Sequence, residues 1–211
     1  MTTRASRFTL PVLLLLPLIG AYGGWAAITV QDLPDYVVAG QPVTLTFIVR
    51  QHGVTKLNGL QPRVEARTGG VTAEANATPG RGEGQYVASL TLPRAGDWTI
   101  TIHSGFGNSR VTLLPLRAIA VGGALPQPPS ESERGRRLFV AKGCLTCHVH
   151  GDVENSGVVA VGPELTGRRL PPDYLKQYLA KPAGKMPNLD LKPQEIAALA
   201  AFINGGGQAL Q

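Results

Sequence analysis

Two cysteines are the whole thiol inventory of this 211-residue chain, and they stand together in Cys144-Leu-Thr-Cys147-His148. Thiols at this spacing can add across the two vinyl groups along one porphyrin edge. The next residue is then held beneath the ring, where Nε2 of His148 can bind iron. Rival chemistries need more than the segment offers. A redox dithiol wants a βαβ setting, which the surrounding pattern lacks. A zinc site wants two further soft ligands nearby, and His150 alone does not complete four. A plain Cys144–Cys147 disulfide leaves His148 without a role. The arrangement implies one covalently bound haem c.

An iron held from one side has a second axial position to fill. Apart from Met1, the only methionine is Met186, in Gly184-Lys-Met-Pro-Asn-Leu-Asp-Leu191. A thioether is a soft, neutral ligand that favours the reduced iron and raises its potential. Methionine as apolar filler would suit a helix face better than a place between Lys185 and Pro187. The other nitrogen donors fit less well. His150 is too close to His148 to cross to the opposite face. His103 is on the polar side of a strand pattern and His52 is in a turn. All three read as ordinary exposed histidines, although a surface copper site using His52 and His103 stays open. With His148 and Met186 both engaged, no open position remains for a substrate. No paired carboxylates or second attachment motif are present to suggest peroxidase or nitrite chemistry.

These residues need elements to position them. Ser130-Glu-Ser-Glu133 has the form of a capping box opening a helix, with Leu138, Phe139 and Ala141 on its apolar side. A second helix is expected over 172–180, stopped by Pro182. A third is expected from about Pro193 to Ile203, with Ile196, Leu199, Ala200 and Ile203 on one stripe and Gly205-Gly-Gly207 ending it. The first part of the chain has a different period. Val43, Leu45, Phe47 and Val49 alternate with polar or outward positions, as do Tyr86, Ala88, Leu90 and Leu92, and Trp98, Ile100 and Ile102. Turn signals such as Ala39-Gly-Gln-Pro42, Asn58-Gly59 and Thr68-Gly-Gly70 separate these runs. The expected architecture is two-part: an N-terminal all-β, immunoglobulin-like antiparallel sandwich over 28–121 and a C-terminal all-α domain over 131–211. Residues 122–130 form a Gly/Pro linker, expected to be extended and stiff. Residues 1–27 carry Arg4 and Arg7, an apolar run from Leu10 to Gly20 and then small residues. This is the pattern of a secretory signal cleaved after Ala26, with an uncleaved membrane anchor as the alternative.

The segment 131–211 resembles the single-haem class I cytochrome c family. Gly135-Arg-Arg-Leu-Phe139 with Lys142-Gly-Cys-Leu-Thr-Cys-His148 is similar to its first helix and attachment site. Gly162-Pro-Glu-Leu-Thr-Gly167 is similar to its proximal loop, Lys185-Met-Pro187 to its distal loop, and Glu195 to Ile203 to its last helix. The resemblance implies a hydrogen bond from His148 Nδ1 to the Pro163 carbonyl, which fixes the ring. It implies a close helix crossing at Gly135, with Phe139 and Phe202 beside it. It also implies that Arg168 or Arg169 neutralises a propionate, that Tyr174 or Tyr178 hydrogen-bonds one, and that the chain is an electron carrier and not an enzyme. An exposed thioether edge is the expected electron path. The stretch between His148 and Met186 is short for that family, so the propionate edge is expected to be more open. Residues 36–119 resemble the YtkA-like family of exported β-sandwich domains through Ala39-Gly-Gln-Pro-Val43, Val49-Arg-Gln-His-Gly53, Gly84-Gln-Tyr86 and Gly96-Asp-Trp98. A blue-copper reading of this part fails, because it has neither Cys nor Met.

The formal net charge of +6 is spread thinly. Residues 28–124 hold 8 Lys/Arg against 6 Asp/Glu, and residues 125–211 hold 10 against 8. No basic run interleaved with aromatics appears, which excludes nucleic acid as a partner class. The expected setting is the periplasm or the outer face of the cytoplasmic membrane, with redox partner proteins, respiratory membrane complexes foremost. Two other readings remain open. One is a cytochrome subunit of a larger membrane redox enzyme; the other is a haem-based gas sensor.

Overall fold

The computed structural model describes residues 24–154 and 159–205. The expected N-terminal signal or anchor lies outside them, except for its last four residues. The first strands are β1 (Ala26–Val30), β2 (Tyr36–Val38), β3 (Pro42–Gln51) and β4 (Thr55–Lys56). A hairpin follows, β5 (Arg63–Thr68) and β6 (Val71–Asn76), and then the short β7 (Thr78–Pro79). β8 (Gln85–Thr91), β9 (Gly96–His103), β10 (Arg110–Thr112) and β11 (Leu116–Ile119) complete the β region. The helices are α1 (Glu131–Ala141), α2 (Cys144–Cys147), α3 (Pro172–Ala180) and α4 (Pro193–Gly205). Among the described residues no strand follows Ile119.

The strands form two sheets. One runs β1-β3-β8-β7 with β4 paired to β3; the other runs β2-β11-β9-β5-β6 with β10 paired to β9. The period-two runs supply the core. Leu45, Phe47, Val49, Ala88, Trp98, Ile100 and Ile102 are all fully buried. Polar tips inside this core find partners. The Trp98 Nε1 donates to the Arg94 carbonyl at 3.0 Å, and the Tyr86 hydroxyl donates to the Leu57 carbonyl at 2.8 Å. One ladder departs from the expected all-antiparallel arrangement, since β11 pairs with β2 in parallel. The β structure also starts earlier than residue 28. Ala26 and Ala27 are buried and paired with Gln51 and Arg50 of β3, so the sheet includes residues assigned above to the export segment. A short apolar strand directly after an apolar targeting pattern has no period of its own to mark where one ends.

The helical region is organised by α1 and α4, which cross closely. A Cβ on Gly135 would fall 1.9 Å from the Ala198 carbonyl oxygen, so only glycine allows this approach. Phe139 and Phe202 pack at the crossing with ring centroids 5.6 Å apart. Ser130 caps α1 by accepting from the Glu133 N–H at 3.2 Å. His150 departs from expectation. It is fully buried and stacked on Phe202 at 4.2 Å, with Phe139 at its edge. An imidazole face is apolar enough to fill the gap between two phenyl rings, and burial holds its pKa below the ordinary value.

The two halves are pinned together. The Lys142 ammonium, 4% exposed, pairs with Glu195 at 2.7 Å and donates to the Gln31 carbonyl at 2.7 Å. Glu195 also accepts from the Lys192 N–H at the start of α4. One side chain thus ties α1, α4 and the loop after β1. Around it, Arg134 pairs with Asp35, Lys192 pairs with Asp32, and Arg137 donates to the Pro115 carbonyl. Breaking a buried pair strands the surviving charge. Lys142→Met is therefore expected to lower stability by about 3 kcal/mol in chemical denaturation. Adding Glu195→Gln is expected to recover part of that loss. Equal or greater destabilisation in the double variant would show that the stranded carboxylate is not the cause.

Candidate functional site

Gly143 begins the local geometry. Its φ of 78° turns the chain out of α1 into the short helix α2. A side chain there would also strike the Ile28 carbonyl, 2.7 Å from an ideal Cβ, so the same glycine lets β1 lie against this turn. Directly after it, and one helical turn apart, Cys144 and Cys147 are both unpaired and half-buried. Burial, reinforced by Cys147, pushes the Cys144 thiol up to about 12, and burial also raises Cys147. Thiols held protonated in this way are poor nucleophiles and poor thiolate ligands. Neutral thioethers lose nothing from the same surroundings. Two cysteines one helical turn apart with His148 directly after them fit covalent attachment of a porphyrin.

His148 leaves α2 in an extended conformation. Its Nδ1 lies 2.9 Å from the Pro163 carbonyl oxygen, which can only accept. The proton is thus on Nδ1 and the lone pair on Nε2. Backbone bonds hold the supporting loop in place: Val159 N–H to the Thr146 carbonyl, Gly162 N–H to Cys147 and Leu165 N–H to Val149. Gly162 is the cradle. A Cβ there would stand 2.4 Å from His148 Cε1, so any other residue would drive the imidazole out. The sequence signal for this cradle is a glycine directly before Pro163, whose separate role spacing alone did not reveal.

Met186 is half-buried against the apolar core, in the loop between α3 and α4. Left-handed residues at Gly184 (φ 69°) and Asp190 (φ 52°) bound this loop, and Asn188 Oδ1 accepts from the Asp190 N–H. Burial lowers the Arg50 pKa, and the Asp190 carboxylate of this loop opposes that shift. Arg168 and Tyr174 are exposed, and the Tyr174 ring stacks on Tyr178 at 5.9 Å. The Tyr178 hydroxyl donates to the Ala183 carbonyl. Among the described residues no group of three or more His, Cys, Asp or Glu side chains is placed to hold a metal ion.

An attachment turn, a tautomer-fixed imidazole and a glycine-permitted helix crossing define the class: the C-terminal region is a cytochrome c domain, and it carries covalently bound haem c with its iron. More particularly, residues 130–203 match the family model for cytochrome c oxidase, cbb3-type, subunit III. No curated protein matches the chain. Three solved structures share parts of its shape. The ZirS C-terminal domain aligns at 12% identity and TM-score 0.33, over 56% of this chain and 87% of that one. A superoxide reductase (neelaredoxin) from Ignicoccus hospitalis aligns at 14% identity and TM-score 0.30, over 44% and 80%. Domains 4–9 of the surface layer protein SbsC align at 18% identity and TM-score 0.34, over 64% and 20%. At these scores they bear on neither the site nor its activity.

Proposed function

We propose that the chain is an exported monohaem electron carrier, with His148 and Met186 as axial ligands and Cys144 and Cys147 as the thioether anchors. The bound haem supplies reversible one-electron chemistry. The protein's part is to hold the ligands and exclude competing ones. Pro163 orients the imidazole and strengthens it as a donor, and Gly162 gives it room. The single observation that carries the reading is the His148 Nδ1–Pro163 bond, which leaves Nε2 available beside the paired cysteines. In this reading 28–121, extended back to Ala26, is an exported sandwich of the YtkA-like kind, 122–130 a linker and 131–211 the all-α haem domain. The sandwich would dock the carrier to a respiratory membrane complex. Arg168 and Tyr174 would serve propionates at an open edge.

A second reading is favoured by the family match at 130–203: a cytochrome subunit of a larger membrane redox enzyme, with the chemistry in a partner chain. Isolation under mild detergent tests both. The expected result is a mature polypeptide heavier than its amino acids by one haem, with a sharp low-spin spectrum on reduction and a one-electron titration. Stable co-purification with a membrane complex selects the second reading. A polypeptide of bare amino-acid mass sinks both.

A further inference from the structure

The thioether edge is not bare. Between β3 and β4 the chain turns through His52 and Gly53, both left-handed, with φ of 51° and 75°. A β-carbon makes that region unfavourable for histidine. The strained residue does not face solvent alone: Trp25 stands edge-on to its ring, 5.7 Å between centroids, and the His52 N–H donates to the Trp25 carbonyl. Gly53 is buried beneath them. A Cβ on Gly53 would lie 3.7 Å from Trp25 Cη2 and 3.9 Å from Cys147 Sγ, so indole and sulfur both border the space over one glycine. On the outer side, His52 and Phe106 both approach Gly24, and Val54 is 59% exposed.

We propose that this turn, with Trp25 laid across it, is the electron port of the molecule, joining the Cys147 edge of the haem to a one-electron redox protein outside. The inference rests on the electron-carrier reading. It adds that the sandwich is part of the redox path and that Trp25 belongs to the mature chain. The step is simple in balance. The outside acceptor gains the one electron that the haem iron loses; no bond forms or breaks and no proton moves. Trp25 is a positioning and coupling group that shortens the gap between sulfur and surface, and it is not itself oxidised.

In the haem-bearing protein both native cysteines are consumed, so Val54→Cys and, separately, Gln177→Cys on exposed α3 each create a single free thiol. A ruthenium tris-bipyridine complex attached there injects an electron on flash illumination. Transfer to the haem from position 54 is expected to be at least tenfold faster than from position 177, with stronger quenching of the label's emission. Trp25→Leu is expected to slow the first rate about tenfold and leave the second rate, the spectrum and the midpoint potential unchanged. Intact mass is expected to place the mature N-terminus before Trp25. Equal rates from the two labels, indifference to Trp25→Leu, or a mature chain beginning after Ala26 would each overturn the port while leaving the carrier reading standing. Absence of haem mass would overturn both.

Discussion

Replacing Gly135 with valine is expected to abolish the haem-bearing fold of the C-terminal half. An ideal Cβ at that position lies 1.9 Å from the Ala198 carbonyl oxygen, 2.6 Å from its carbon and 2.7 Å from Phe202 Cβ. The first two are helix backbone, which cannot swing aside as a long side chain can. Relief requires α1 and α4 to separate, and that opens the contact holding Phe139, Leu199, Phe202 and Ile203. Each such side chain contributes about 1.5–3 kcal/mol through burial, and a domain has only about 5–15 kcal/mol in hand. The four together amount to roughly 6–12 kcal/mol, comparable with that whole margin, so separating the helices removes the folded state. The check is the yield of haem-loaded protein and its helical circular dichroism, beside a conservative surface change such as Gln177→Ala. A Gly135→Val protein with wild-type yield and melting would disprove the crossing.

Met186→Ala is expected to act in the opposite way, with a small effect on folding and a large one on the metal. The side chain is only half-buried, so truncation falls at or below the low end of the roughly 2–5 kcal/mol typical of core methionines. The iron, deprived of its soft sixth ligand, is expected to turn high-spin when oxidised, lose its far-red methionine band and bind carbon monoxide rapidly once reduced. Its midpoint potential is expected to fall by on the order of 0.1 V or more, since axial ligands set potentials over a range of about 0.8 V. Optical spectra and a redox titration decide the matter. A variant that keeps a low-spin spectrum and an unmoved potential would remove Met186 from the iron.

The sequence was most readable where local chemistry dictates structure. Ser130 and Glu133 predict the start of α1, and alternation in 43–49 predicts β3, because caps and pleats act over a few residues. It was least readable where distant segments meet. Nothing near Lys142 shows that its ammonium finds Glu195 and Gln31, because that pairing joins three elements far apart in the chain. His150 was misjudged for the same reason: polarity suggests solvent, while the space between Phe139 and Phe202 exists only after α1 and α4 cross. The β5–β6 hairpin carries Arg63, Glu65 and Arg67 on an outer face, alternating with buried Val64 and Ala66; Glu65 sits among those arginines with its pKa lowered chiefly by the hydrogen bond from Arg67.

The position of β1 has one more consequence. The strand opens at Ala26, one residue after Trp25, and its Ile28 carbonyl rests on the glycine leading into the attachment turn. The leading residues therefore join the folded protein beside the attachment turn. Because Lys142, Glu195 and Gln31 also fasten the helical half to the loop after β1, the proline-rich joint in the middle does not set how far the haem travels from that entry point.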